Sequence, residues 1–184
     1  MRPLPLAALA AFWFSLFAVS CPPVSGAEAP ATPPPETRAA DDAQIAELIK
    51  QLDSPEAPRR SQAAETLGSA KAVTAVPALL RLLDDPDEDA QWKATCALAA
   101  LGKPCVGPLV EALMHEKERV RWKAETALKM MGAEAVPDLM TALQDRRGRV
   151  RQSAAFLLGE IKDPRSLDVL AASLADKDED TRWK

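Results

Sequence analysis

The 184-residue sequence has no tyrosine, one histidine, three cysteines and seven glycines. Each shortage removes a class of chemistry. His115 has no histidine or cysteine companion at metal-ligand spacing, and no motif supplies it with a base or nucleophile partner. No metal-binding or catalytic residue is therefore expected, and no cofactor is implied. The glycines form no phosphate-binding loop. Cys96 and Cys105 fall on different helix faces, which argues against a bridge and for two separate thiols. No stretch alternates apolar and polar residues as a half-buried strand does. Charge of one sign is also missing. The net charge of −4 is not a nucleic-acid signature, so no nucleic-acid partner is expected.

What is present is a repeat. Trp-Lys occurs at Trp92-Lys93, Trp122-Lys123 and Trp183-Lys184, at separations of 30 and 61 residues. The chain has only four tryptophans, so three in register mark a period of about thirty residues. One leucine recurs with it: Leu52, Leu83, Leu113, Leu143 and Leu174. Apolar residues stand three, four and seven positions before each, which defines one face of a helix, here termed A. Pro77 and Pro137 lie near its start, where a missing N–H costs little; Pro108, one residue later, suggests a shifted start. Polar turns such as Asp84-Asp85-Pro86-Asp87 follow, and a second helix, B, comes next. In B, small or apolar residues recur at positions 0, 4, 7, 8 and 11, counted from Val120 or Val150. Two such helices cannot bury their faces alone, but stacked pairs can. The predicted fold is all-α, a solenoid of about four and a half antiparallel helix pairs.

The run Val-Pro-x-Leu in helix A, an Asp two after the last leucine, and Val-Arg-x-x-Ala-x-x-x-Leu in helix B resemble the HEAT repeat family. The HEAT-like repeats of phycobilisome lyases are the most similar type. The likeness spans 41–184, with repeats at about 41–71, 72–103, 104–133, 134–163 and an incomplete 164–184. It implies a right-handed solenoid and speaks weakly of function. The family's Asp is matched by Asp85, Asp145 and Asp176, but Ser54 and His115 depart from it. Its Arg is matched by Arg60, Arg121, Arg151 and Arg182, but Gln91 departs. Counted repeat by repeat, only the fourth and fifth keep both. An Asp–Arg ladder between repeats is thus expected to be broken and to stabilise little.

The N-terminus has a different composition. Arg2 precedes an uncharged apolar stretch from Leu4 to Val19, and residues 1–27 read as a secretory signal. Two readings of its end compete: cleavage after Ala27, or lipidation and membrane anchoring at Cys21 within a loose lipobox. Residues 22–40 hold six prolines, and 28–40 is expected to be a disordered linker. Loss of 1–27 leaves a net charge of −5. An exported protein, periplasmic or extracellular, is expected.

At ~100° per residue, B-helix position 2 points away from the core stripe, and position 6 follows one turn on. The resemblance puts B helices on the concave surface. It thereby gathers Trp92, Lys93, Trp122, Lys123, Gln152, Phe156 and Trp183 in one groove as a candidate site for a protein or peptide partner. Trp buries about 150–250 Å² and with adjacent cations is hot-spot chemistry. The competing arrangement has each indole leaning sideways to fill the gap between B helices. Along the A–B turns, Arg119, Arg121, Arg146, Arg147, Arg149 and Arg151 form a basic edge between acidic blocks, a steering pattern for an acidic partner. The last residues match only the start of a B helix. Leu167, Leu170 and Leu174 are expected to lack cover, and the chain is expected to continue. The functional expectation is an exported, non-catalytic interaction scaffold. Its alternatives are the scaffold part of a larger exported enzyme and a lyase-type chromophore accessory protein.

Overall fold

The computed structural model describes residues 35–176 and 178–182, with side chains from residue 41. The expected signal segment, Cys21, Trp183 and Lys184 lie outside the described residues. Among the described residues ten α-helices follow in order: α1 (Pro35–Gln51), α2 (Ala57–Ser69), α3 (Val76–Leu82), α4 (Glu88–Leu101), α5 (Val106–Ala112), α6 (Glu118–Met131), α7 (Val136–Ala142), α8 (Gly148–Ile161), α9 (Leu167–Ser173) and α10 (Glu179–Arg182). There is no strand among the described residues. The odd-numbered helices are the A helices and the even-numbered ones the B helices. Helices α1, α3, α5 and α7 each pack on their own B helix, α9 packs on α8, and each B helix packs on the next.

The core follows the periodic positions. Leu67, Leu98, Leu128 and Leu158 of the B helices are fully buried, as are Leu79, Leu109 and Leu139 of the A helices. Each buried leucine contributes ~1.5–3 kcal/mol relative to exposure, so the repeat register is strongly fixed. Leu167 and Leu174 are 65% and 67% exposed, as their position predicts, while Leu170 is half-buried. Two boundaries differ from expectation. Helix α1 begins at Pro35, inside the segment expected to be linker, because proline is tolerated in a first turn and no glycine or proline follows before Gln51. Helix α5 begins at Val106 in register with Val76 and Val136, so Pro108 causes no shift. It sits in the first turn, whose N–H groups have no helical acceptor.

Between A and B, one residue closes the turn by accepting the backbone N–H two residues on. Asp85 Oδ1 accepts from Asp87, Asp145 Oδ1 from Arg147 and Asp176 Oδ1 from Asp178, each at 2.8 Å. Ser54 Oγ and His115 Nδ1 accept at 3.2 Å in the two departing repeats. Serine and histidine therefore keep the turn and give up only the charge.

The first residue after B-helix position 0 adds a second lock. It donates to the carbonyl six residues earlier in every repeat: Arg60 to Ser54, Gln91 to Asp85, Arg121 to His115, Arg151 to Asp145 and Arg182 to Asp176. The rest of the guanidinium reaches the next repeat. Arg60 Nε and Nη2 fork onto Asp85 at 2.7 Å each. Arg151 forks onto Asp176 at 2.9 Å each. Burial alone would raise the Asp85 carboxyl, but the Arg60 fork and the Asp87 N–H override it and hold it below the ordinary carboxylate range.

The ladder is broken, as expected, at two of the four junctions among the described residues, but its rungs pair differently from the expectation. The rung runs from the Arg of one repeat to the Asp of the next, so within-repeat counting pairs the wrong residues. At the junction of the second and third repeats, Gln91 and His115 replace both partners together. No buried charge is stranded there. At the following junction Asp145 turns to Arg147 instead of Arg121, with Nε and Nη2 at 2.9 and 2.8 Å. Arg147 also holds Glu111, and its guanidinium brings the Asp145 carboxyl down to about 2.

Candidate partner-binding face on the B helices

Small residues let α2 and α4 approach closely, with Gly68 against Ala97. The spacing relaxes between α6 and α8, where a cleft of about 360 Å³ opens, lined by Arg121, Glu125, Arg149, Gln152, Ser153 and Phe156. Two residues of the expected groove, Gln152 and Phe156, thus share a cleft with two residues assigned to the charged edge. Sequence periodicity had kept those sets apart.

The other site residues divide. Trp122 is 55% exposed and Phe156 38%. Trp92 is half-buried. Lys123 is only 6% exposed, with its ammonium 5.6 Å from the Trp92 ring centroid and 5.0 Å from that of Trp122. The aliphatic stem fills the seam between α4 and α6 while the ammonium meets both π-systems, a contact worth ~0.5–2 kcal/mol. Lys123 is therefore not an open contact for a partner, and Trp92 is partly covered beside it. Lys93 is held by Glu65 of the preceding B helix at 2.8 Å, which raises its pKa. Trp183 lies outside the described residues.

Half of the six edge arginines are neutralised by ion pairs. Arg119 and Lys117 both engage Asp84. Arg147 spans Glu111 and Asp145. Arg151 is 4% exposed and locked to Asp176, so it belongs to the core and not to an edge. Arg121, Arg146 and Arg149 make no ion pair among the described residues. Glu125 and Ser153, which line the cleft and bond each other at 2.7 Å, were missed from the sequence. Their signal is the pairing of B-helix position 5 with position 3 of the next repeat.

Elsewhere the surface offers less. A groove of about 430 Å³ on the A side, beside Pro137 and Met140, has Arg165 at its margin, already engaged by Asp163 and the Ala133 carbonyl. Burial pushes the Cys105 thiol up to about 11, which leaves it unreactive, and it forms no disulfide with half-buried Cys96. No group of acidic, histidine or cysteine side chains among the described residues is arranged to hold a metal ion. None of the described helices is long and apolar enough to cross a membrane.

No curated protein matches the sequence significantly. Among solved structures, the complex of CpcE and CpcF of phycocyanin lyase from Nostoc sp. PCC7120 is similar at 22% identity and a TM-score of 0.42, over 78% of this chain and 96% of that one. A designed armadillo repeat protein in complex with the peptide (KR)4 is similar at 16% identity and a TM-score of 0.37, over 80% and 81%. Human deoxyhypusine hydroxylase is similar at 21% identity and a TM-score of 0.33, over 82% and 77%. The family model for HEAT repeats matches residues 45–129 and 106–184. With its paired helices, its turn locks and this match over most of its length, the chain belongs to the HEAT repeat family, a repeat solenoid suited to protein binding.

Proposed function

We propose that this protein is a non-catalytic scaffold that binds a peptide or protein segment along its B helices, centred on Trp122 and the α6–α8 cleft. One observation carries the reading. Trp122 is an indole more than half exposed on α6, the helix that also lines, through Arg121 and Glu125, the cleft shared with Phe156 and Gln152. A large aromatic kept at the surface of a helix that also walls a concave, partly polar recess is suited to a binding hot spot. The absence of catalytic motifs in the sequence favours a scaffold over an enzyme. The signal-like segment 1–27 favours export, which subcellular fractionation of the tagged full chain tests. Mature N-terminal mass then separates cleavage after Ala27 from lipidation at Cys21.

The binding reading is tested by selecting peptides from a displayed random library on the wild-type protein. Binders are expected to shift the Trp122 indole resonance and to lose at least tenfold affinity on Trp122→Ala, about 1.4 kcal/mol. The variant's unfolding midpoint is expected to stay close to wild type. Selected peptides that map to the A-helix side, or that bind the variant equally well, would end this reading.

A further inference from the structure

The two complete rungs of the ladder share one geometry. Nη1 of Arg60 or Arg151 is spent on a carbonyl of its own turn, and the Nε–Nη2 edge forks onto a carboxylate of the next repeat. Arg121 keeps the first half of this arrangement. Its Nη1 donates to the carbonyls of His115 and Glu116 at 2.8 and 2.7 Å. The second half is missing, because Asp145 forks onto Arg147, which also pairs with Glu111. The Nε–Nη2 edge of Arg121 therefore has no carboxylate among the described residues, although the same edge takes one in its counterparts. That guanidinium is already oriented by its carbonyl bonds, so little freedom remains to be lost when a carboxylate arrives.

Arg121 also lines the α6–α8 cleft, and Arg149 lines it too without an ion pair among the described residues. The single acid in the lining, Glu125, is engaged by the Ser153 hydroxyl. The cleft thus carries two cations against one anion, with the Phe156 ring on its wall and Trp122 on the same helix as Arg121.

We propose that the Arg121–Arg149 cleft is a carboxylate receptor, in which an acidic residue of an extended peptide takes the place that Asp85 and Asp176 take at the complete rungs. An apolar neighbour in that peptide rests on Phe156 and Trp122. This rests on the binding face described under Proposed function and gives its partner a chemistry: an acidic peptide with apolar residues interleaved. Fork-to-carboxylate bonding supplies the specificity, and Lys or Gln in the same place of the peptide leaves the fork unanswered.

The test uses the full chain and fluorescence anisotropy with three labelled octapeptides. One is N-acetylated, C-amidated alternating leucine–glutamate. The second replaces glutamate by glutamine. The third is the glutamine peptide with a free terminal carboxylate. The glutamate peptide is expected to bind roughly tenfold or more tighter than its amidated glutamine counterpart, and the difference to shrink as salt rises. R149Q, at an exposed site, is expected to remove most of that difference, R121Q all of it, and R146Q on the neighbouring turn none. Tight binding of the third peptide alone still supports the receptor and assigns it a chain terminus instead of a side chain. Equal binding of the glutamate and amidated glutamine peptides, abolished by W122A, overturns the receptor and leaves the binding face standing. Binding of none of the three overturns both.

Discussion

Gly68 of α2 lies directly on Ala97 of α4, so close that a Cβ at Gly68 would stand 2.7 Å from the Ala97 Cα. The obstacle is backbone, which cannot swing aside. Alanine is the better helix former by ~1 kcal/mol, yet Gly68→Ala is expected to destabilise by ~1–3 kcal/mol through overpacking. Gly159 in α8 meets nothing within 4 Å, so Gly159→Ala is expected to stabilise by up to ~1 kcal/mol. Urea midpoints of the two variants, moving in opposite directions, check both.

The Arg60–Asp85 rung is buried, with side chains 11% and 7% exposed. Arg60→Met strands the Asp85 carboxylate and is expected to cost ~3 kcal/mol or more. The same change at Arg59, whose pair with Glu56 is exposed, is expected to cost less than ~1 kcal/mol. Equilibrium unfolding in urea measures each.

The empty rung can be built. Gln91 and His115 occupy the Arg and Asp positions of one junction. Gln91→Arg alone buries an unanswered cation in place of a side chain that is 7% exposed, and is expected to destabilise. His115→Asp alone is expected to be nearly neutral, since aspartate keeps the bond from the Lys117 N–H. Together they are expected to show a favourable coupling of ~1–3 kcal/mol in a double-mutant cycle. A coupling near zero would mean that this junction's spacing, and not its residues, excludes the rung.

Acid is expected to unfold the protein by a predictable route. Arg147 and Arg165 hold the Asp145 and Asp163 carboxyls at about 2, and Asp85 is lowered as well. Their unfolded values lie near 4, so between these limits the unfolded chain binds more protons. Stability from these pairs is fully present above about pH 5 and is lost as pH falls toward 2. Asp163→Asn is expected to lower the urea midpoint at pH 6 and to leave less further loss between pH 4 and pH 2 than wild type shows.

Much of the scaffold was legible from residues alone. Leu83, Leu113 and Leu143 marked the A helices, and Leu67, Leu98, Leu128 and Leu158 the B helices, because burial against a repeating neighbour imposes one spacing on all repeats. The outward placement of Trp122 and Phe156 followed from the same geometry. The roles of the charges did not. Asp145 and Arg121 stand at matching positions, and nothing in their spacing says that Arg147, two residues on, outcompetes Arg121. Lys123 looked like an open cation because helix phase gives the direction of a Cβ, not where a four-carbon stem ends between two indoles.

The amino-acid sequence by itself determined the helices, their pairing and the period of the stack, since these depend on apolar residues whose burial is local and repetitive. Only the tertiary structure decided which carboxylate each arginine takes, which lysine is swallowed between tryptophans and where two B helices part to leave a cleft. Long charged side chains reach across repeats and choose among several partners at similar distance, and that choice depends on packing in three dimensions.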